Sequence, residues 1–144
     1  MKAARAGSLA LLILGVASSA AATVMVRATV EELTAESERV VLGTVVDATA
    51  TDGGPRGERG IFTRVEVAVE ETWRGAPNPS AVFWLHGGRV GNRAMHTHGQ
   101  ATFTVGERVV VFLDDAGGAL FPTGMSQGKW FVEGDEARSA ADPG

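Results

Sequence analysis

The run IFTRVEVAVEETW, residues 61 to 73, constrains the fold more than any other stretch of the chain. Val65, Val67, Val69 and Trp73 fall on one side of an extended backbone, and Arg64, Glu66, Glu70 and Thr72 fall on the other. A period of two is the signature of a strand with one face in a core and one in water. Such a strand needs partners, and its neighbours in sequence supply them. Val40 to Thr49 is rich in β-branched residues and runs into TDGGPRGERG, a glycine-rich turn or loop. Downstream, RGAPNPS turns the chain with Pro77 and Pro79, and AVFWLHGG reads as a third short strand.

Residues from Gly87 to about Ala101 read as irregular. ERVVVFLDDAGGALFPTG then gives two β-rich runs around an Asp-Ala-Gly-Gly turn, a hairpin signal, and KWFVEG gives a last strand. Before the first strand, Thr29 followed three residues later by Glu32 has the form of a capping box and predicts a short helix from Val30 to about Ser37. The polar, small-residue run DEARSAADPG reads as a frayed end, which makes residues 134–144 a flexible tail. Five or six short strands and one short N-terminal helix predict a mainly-β fold. A small antiparallel barrel, closed or partly closed, removes exposed sheet edges; a β-sandwich is the alternative that the same strand count allows.

The amino terminus sets the compartment. Lys2 and Arg5 precede an apolar run from Leu9 to Val16, and small residues including Ala20, Ala21 and Ala22 follow. That is the form of a secretory signal peptide, 1–22, with cleavage after Ala22; the apolar run is well short of the roughly 20 residues that span a bilayer. The expectation is a periplasmic or extracellular protein with no membrane anchor in its mature form. The chain has no cysteine, so neither a disulfide framework nor a lipidated cysteine is available, and residues 23–133 must fold as a single domain on their core alone. Without Lys2 and Arg5 the chain carries 11 basic and 17 acidic residues, a net charge of −6, and its arginines lie scattered among carboxylates. Nucleic acid and anionic lipid are therefore not expected as partners.

ESERVVLGTVV, IFTRVEVAVEETWRG, FTVGERVVVFLDD and GMSQGKWFV together resemble an uncharacterised family of exported bacterial domains. That family is itself similar in pattern to the netrin-like domain of the tissue inhibitors of metalloproteinases. The resemblance covers roughly residues 29 to 133 and implies an OB-fold barrel. It makes Gly43, Gly75, Gly106, Glu107, Gly124, Gln127 and Gly128 the pattern positions, for which turns and bulges of a barrel are a sufficient physical reason. The metalloproteinase inhibitors chelate their target's zinc through a disulfide-locked N-terminal cysteine. This chain has no cysteine, so that mechanism does not transfer.

Candidate chemistry is sparse. His96 and His98 sit two apart in MHTHGQ, and His86 lies ten residues before His96; on an extended segment a His-x-His pair can place both imidazoles on one side. With His86 as a third ligand, and Asp114 or Glu107 as a carboxylate, they form the one candidate site for a divalent transition metal. No H-E-x-x-H pattern supports it, and surface-loop histidines are the favoured reading. GMSQG, residues 124–128, matches G-x-S-x-G, but a strand follows it where a nucleophile elbow needs a helix, and no histidine lies beyond His98. Glu70 with Glu71, and Asp114 with Asp115, are adjacent in strand-like sequence and so point to opposite faces. Trp73, Trp84 and Trp130 could stack on sugars, but core packing is their default. The function expected is a non-catalytic exported binding module without a cofactor. It would hold a protein partner, such as an exported protease or envelope component, with a barrel face or the 87–101 loop. A small metal-binding protein or metal-dependent hydrolase built on His86, His96 and His98 is the alternative.

Overall fold

A computed structural model describes residues 28–141. The leader read at residues 1–22 lies outside the described residues. Helix α1 (Val30–Glu36) starts at the capping box, where the Thr29 hydroxyl accepts from the Glu32 amide at 3.1 Å and the Glu32 carboxylate accepts from the Thr29 amide at 2.8 Å. These two bonds satisfy donors that a helix start leaves without partners. α1 buries Leu33 against the sheet. It stops at Ser37, whose hydroxyl is hydrogen-bonded to that of Thr123 at 2.8 Å.

The strands are β1 (Arg39–Asp52), β2 (Ile61–Arg74), β3 (Ser80–His86), β4 (Gly88–Val90), β5 (Arg93–Met95), β6 (Arg108–Asp115), β7 (Leu120–Pro122), β8 (Lys129–Glu133) and β9 (Glu136–Ser139). Seven of them form one antiparallel sheet in the order β3-β2-β1-β6-β8-β9, with β7 on β6, while β4 and β5 pair apart as a small ribbon. No ladder joins β3 to β9, so among the described residues the hydrogen-bonded sheet is open. Register shifts interrupt the β1–β2 ladder at Val40/Val41, Leu42/Gly43 and Val45/Asp47. Bulges of this kind bend and twist a long strand pair.

Alternation along β6 shows how the core is built. Val109, Val111 and Leu113 face one side, where they meet Val41, Val45, Val65, Val67, Phe83 and Leu85, and Phe103 closes on Phe83 edge-to-face at 5.0 Å. Val110 and Phe112 face the other side, where they lie beside their cross-strand partners Leu42 and Val40 and pack with Leu33 of α1. Burial of each such side chain contributes about 1.5–3 kcal/mol relative to exposure. A sheet buried on both faces at its centre explains why VVVFL reads as a continuous apolar run while β2, half wet, alternates.

Three sequence expectations need correction. The segment 87–101 is not wholly irregular: Val90 pairs with Arg93 across a two-residue Gly91-Asn92 turn, with Gly91 at φ 59°, and β4 and β5 form the ribbon. Residues 134–144 are not wholly a frayed tail, because Gly134-Asp135 turns the chain and β9 pairs with β8 from Glu133↔Glu136 to Trp130↔Ser139. Trp73 does not share the buried side of β2: it is 57% exposed, beyond the point where the valines meet the core.

Candidate functional site

One end of the molecule gathers the β1–β2 loop, the end of β3, the β4–β5 ribbon and the β6–β7 turn. Local hydrogen bonds hold these pieces together. The Arg56 guanidinium donates to the Ala116 carbonyl and, at 2.7 Å, to Glu58. The Thr63 hydroxyl donates to the Gly87 carbonyl at 2.8 Å, and the Gly87 amide donates to the Ile61 carbonyl at 2.8 Å. Arg93 pairs with Asp52 at 2.5 Å and ties the ribbon to β1. Gly87, at φ 100°, turns the backbone out of β3; a side chain there would reach 2.7 Å from the Met95 carbonyl. Only glycine lets the two segments approach so closely.

Between the ribbon and residues 96–102 lies an open cleft of about 370 Å³. Leu85, Ala94, Met95 and Ala101 make its apolar floor, and His86, Arg89, His96, Thr97 and Gln100 stand around it. No aspartate or glutamate lines it. The His86 ring contacts Phe121, stacked at 5.1 Å and 19°, and Phe62, tilted at 5.0 Å, while the Arg56 guanidinium covers Phe121 at 5.4 Å. This column of rings and guanidinium fixes the imidazole in place through quadrupole and dispersion contacts. The Gln100 side-chain carbonyl accepts from the His86 amide at 3.3 Å, and its buried NH₂ has no partner among the described residues.

His86 and His96 line the cleft and His98 does not. Among the described residues no three histidine, aspartate or glutamate side chains are arranged to hold a metal ion, so His86, His96 and His98 are not brought together as a ligand set. Asp114 is exposed at the end of β6, and Glu107 is engaged elsewhere. Ser126 lies in a 3-10 turn, Met125–Gly128, that leads straight into β8, so the strand–turn–helix of a nucleophile elbow is absent there. Trp84 and Trp130 are half-buried; Trp73, with Val30 and Trp130, borders a shallow apolar groove of about 170 Å³ on the outer face.

Each pattern position has a structural role. A side-chain carbon at Gly43 would lie 2.2 Å from the Ala68 carbonyl oxygen, and one at Gly128 would lie 2.4 Å from that of Thr123. Gly75, Gly106 and Gly124 adopt φ of 90°, 94° and 64°. The Gln127 side-chain carbonyl accepts from the Ala28 amide at 2.6 Å and anchors the approach to α1. Glu107 pairs with Lys129, whose side chain is 3% exposed. The Lys129 ammonium donates to both Glu107 oxygens at 3.0 and 3.2 Å and to the Thr102 carbonyl, and lies over the Phe131 ring at 4.3 Å and the Phe103 ring at 4.6 Å. Sequence reasoning overlooked Lys129, although a lysine between Gly128 and Trp130 at the start of an apolar strand was a visible sign.

On the surface away from the cleft, Arg108 makes a two-pronged pair with Glu70, at 2.9 and 3.2 Å to one oxygen and 3.3 Å to the other. Hydrogen bonds from Arg108, then its charge, hold the Glu70 carboxyl below its usual value, and the same contacts raise the Arg108 guanidinium. Set against known protein families, curated proteins and solved structures, the chain matches none.

Proposed function

We propose that this protein is an exported, non-catalytic binding module on an OB-fold-like, netrin-like scaffold, holding a protein partner such as an exported protease or envelope component in the cleft beside the β4–β5 ribbon. One observation carries the reading: an open, apolar-floored cleft is built from the 87–102 segment and rimmed by polar side chains. Apolar area with a few placed polar groups is what a recognition site needs. The outer elements that shape it are pinned by Arg93–Asp52, Thr63–Gly87 and the ring column, and preorganisation lowers the cost of binding. Nucleophile, base and oxyanion donors would have to converge for catalysis; the cleft holds imidazoles and a guanidinium but neither a carboxylate nor a serine or cysteine.

The test is affinity capture from the exported proteome with the wild type and with Ala94→Trp, which fills the floor from an exposed position. A partner retained by the wild type and lost by Ala94→Trp supports the proposal. A partner held equally by both refutes the cleft as the binding surface.

A further inference from the structure

The chemistry of the cleft is unlike that of the rest of the molecule. The whole chain has a formal net charge of −4, yet the cleft carries Arg89, His86 and His96 and no carboxylate. Elsewhere at this end Arg56 pairs with Glu58 and Arg93 with Asp52, whereas Arg89 in the cleft, like Arg59 in the β1–β2 loop, forms no ion pair among the described residues. The His86 ring stacks on Phe121 with Phe62 tilted against it, and its imidazole nitrogens make no hydrogen bond among the described residues. Beneath these groups the floor of Leu85, Ala94, Met95 and Ala101 is apolar.

We propose that the cleft takes an acidic peptide segment: one apolar side chain seats on the Leu85, Ala94, Met95 and Ala101 floor, and flanking carboxylates meet Arg89, His86 and His96. This rests on the reading of the cleft as a protein-binding site and names the chemistry of its partner. Charge complementarity carries it. A guanidinium and two imidazoles spread around one floor can meet more than one carboxylate, which an internal Asp or Glu pair offers and a single chain terminus does not. A basic peptide would meet unpaired like charge at the cleft.

The experiment is a titration of the ¹⁵N-labelled protein, followed by amide shifts, with the blocked peptide acetyl-Gly-Glu-Leu-Glu-Gly-amide. Its Gln-for-Glu and Lys-for-Glu analogues and acetyl-Gly-Gly-Leu with a free carboxylate are run beside it. Shifts at Arg89, Ala94, Thr97 and Gln100 with the acidic peptide are expected, together with affinity about tenfold weaker for the Gln analogue and for Arg89→Gln, the scale of one charge-assisted contact. Affinity should also fall as salt rises. Equal binding of the Gln or Lys analogue at these amides overturns the acidic chemistry while the cleft remains a peptide site. Binding of the free-carboxylate peptide alone assigns the cleft to chain ends and overturns the internal segment. Shifts that grow with protein concentration alone assign it to a second copy of the chain. With no cleft shift from any peptide the inference fails, and the capture experiment decides the broader reading independently. Arg89 is exposed on a three-residue strand, so unchanged chemical shifts outside the cleft verify that its variant is folded.

Discussion

Replacing Glu107 by Ala should destabilise the protein more than replacing its partner Lys129 by Met, even though each removes the same ion pair. The asymmetry follows from burial: the Lys129 side chain is 3% exposed and that of Glu107 is 23% exposed. In Glu107→Ala the ammonium stays inside with only the Thr102 carbonyl and two ring faces, and an uncompensated buried charge costs about 3–5 kcal/mol. Water can enter where the partly exposed carboxylate was, which places the value near the lower end, about 3 kcal/mol. In Lys129→Met the charge itself is gone, Phe103 and Phe131 keep an apolar neighbour, and the partly exposed Glu107 keeps the Thr104 amide as a donor. What is lost is the partner of the Thr102 carbonyl and the cation–ring contacts, about 1–2 kcal/mol in all. The double variant should cost only about 1 kcal/mol more than Lys129→Met, for the lost acceptor of the Thr104 amide, which against about 3 kcal/mol for Glu107→Ala alone gives a coupling of about 2 kcal/mol between the sites. Urea unfolding followed by tryptophan fluorescence reads these values, provided the slope of free energy against urea is unchanged between variants. A Lys129→Met cost equal to or above that of Glu107→Ala, or additive single variants, refutes the reasoning.

Gly43→Ala should cost about 1–3 kcal/mol or more by overpacking, because the new methyl would meet a backbone oxygen at 2.2 Å in the β1–β2 ladder; a thermal melt indistinguishable from wild type contradicts this. The Glu70 carboxyl, followed by NMR, should titrate below the usual carboxylate range and move up toward it in Arg108→Gln. A carboxyl lowered on folding adds stability above its unfolded value and loses it as pH falls through its folded value, so the wild type's advantage over Arg108→Gln should be present at pH 6 and shrink on acidification below about 4.5. Zinc, copper, nickel or manganese should leave the melting midpoint where chelator leaves it, since no three ligand side chains converge among the described residues; a rise abolished in the His96→Ala/His98→Ala variant refutes that.

What was legible in the sequence had a local cause. The Thr29 to Glu32 spacing contains its own hydrogen bonds and so located α1, and the valines of β2 alternate because one face is dry. β4 and β9 escaped because neither carries an apolar period: GRV, RAM and EARS pair through two-residue turns, Gly91-Asn92 and Gly134-Asp135, on the surface. A Gly-Asn or Gly-Asp pair was the signal available, and it is weak without alternating apolar flanks. Trp73 was misplaced because the β1–β2 ladder shifts register twice between Val69 and Arg74, so the period of two does not carry through to residue 73, which borders the groove beside Val30, Phe112 and Trp130 instead. The cleft was legible only as a segment, since its floor joins Leu85 of β3 to Ala94 and Met95 of β5 and Ala101 beyond it.

The last strand has a consequence for how this chain behaves in a crowd. An open sheet presents free amides and carbonyls at its end, a template for strands of other molecules. Under β9 lies Lys129–Glu133, KWFVE, three of whose five residues are large and apolar, the kind of segment that stacks into aggregates when bare. β9 covers it with four residues that include Glu136 and Arg138, so a chain arriving at that end meets charge and a short ledge instead of a tryptophan, a phenylalanine and a valine. Trimming the protein back to Gly134 would exchange a self-limiting edge for a sticky one, and loss of solubility would precede loss of the fold.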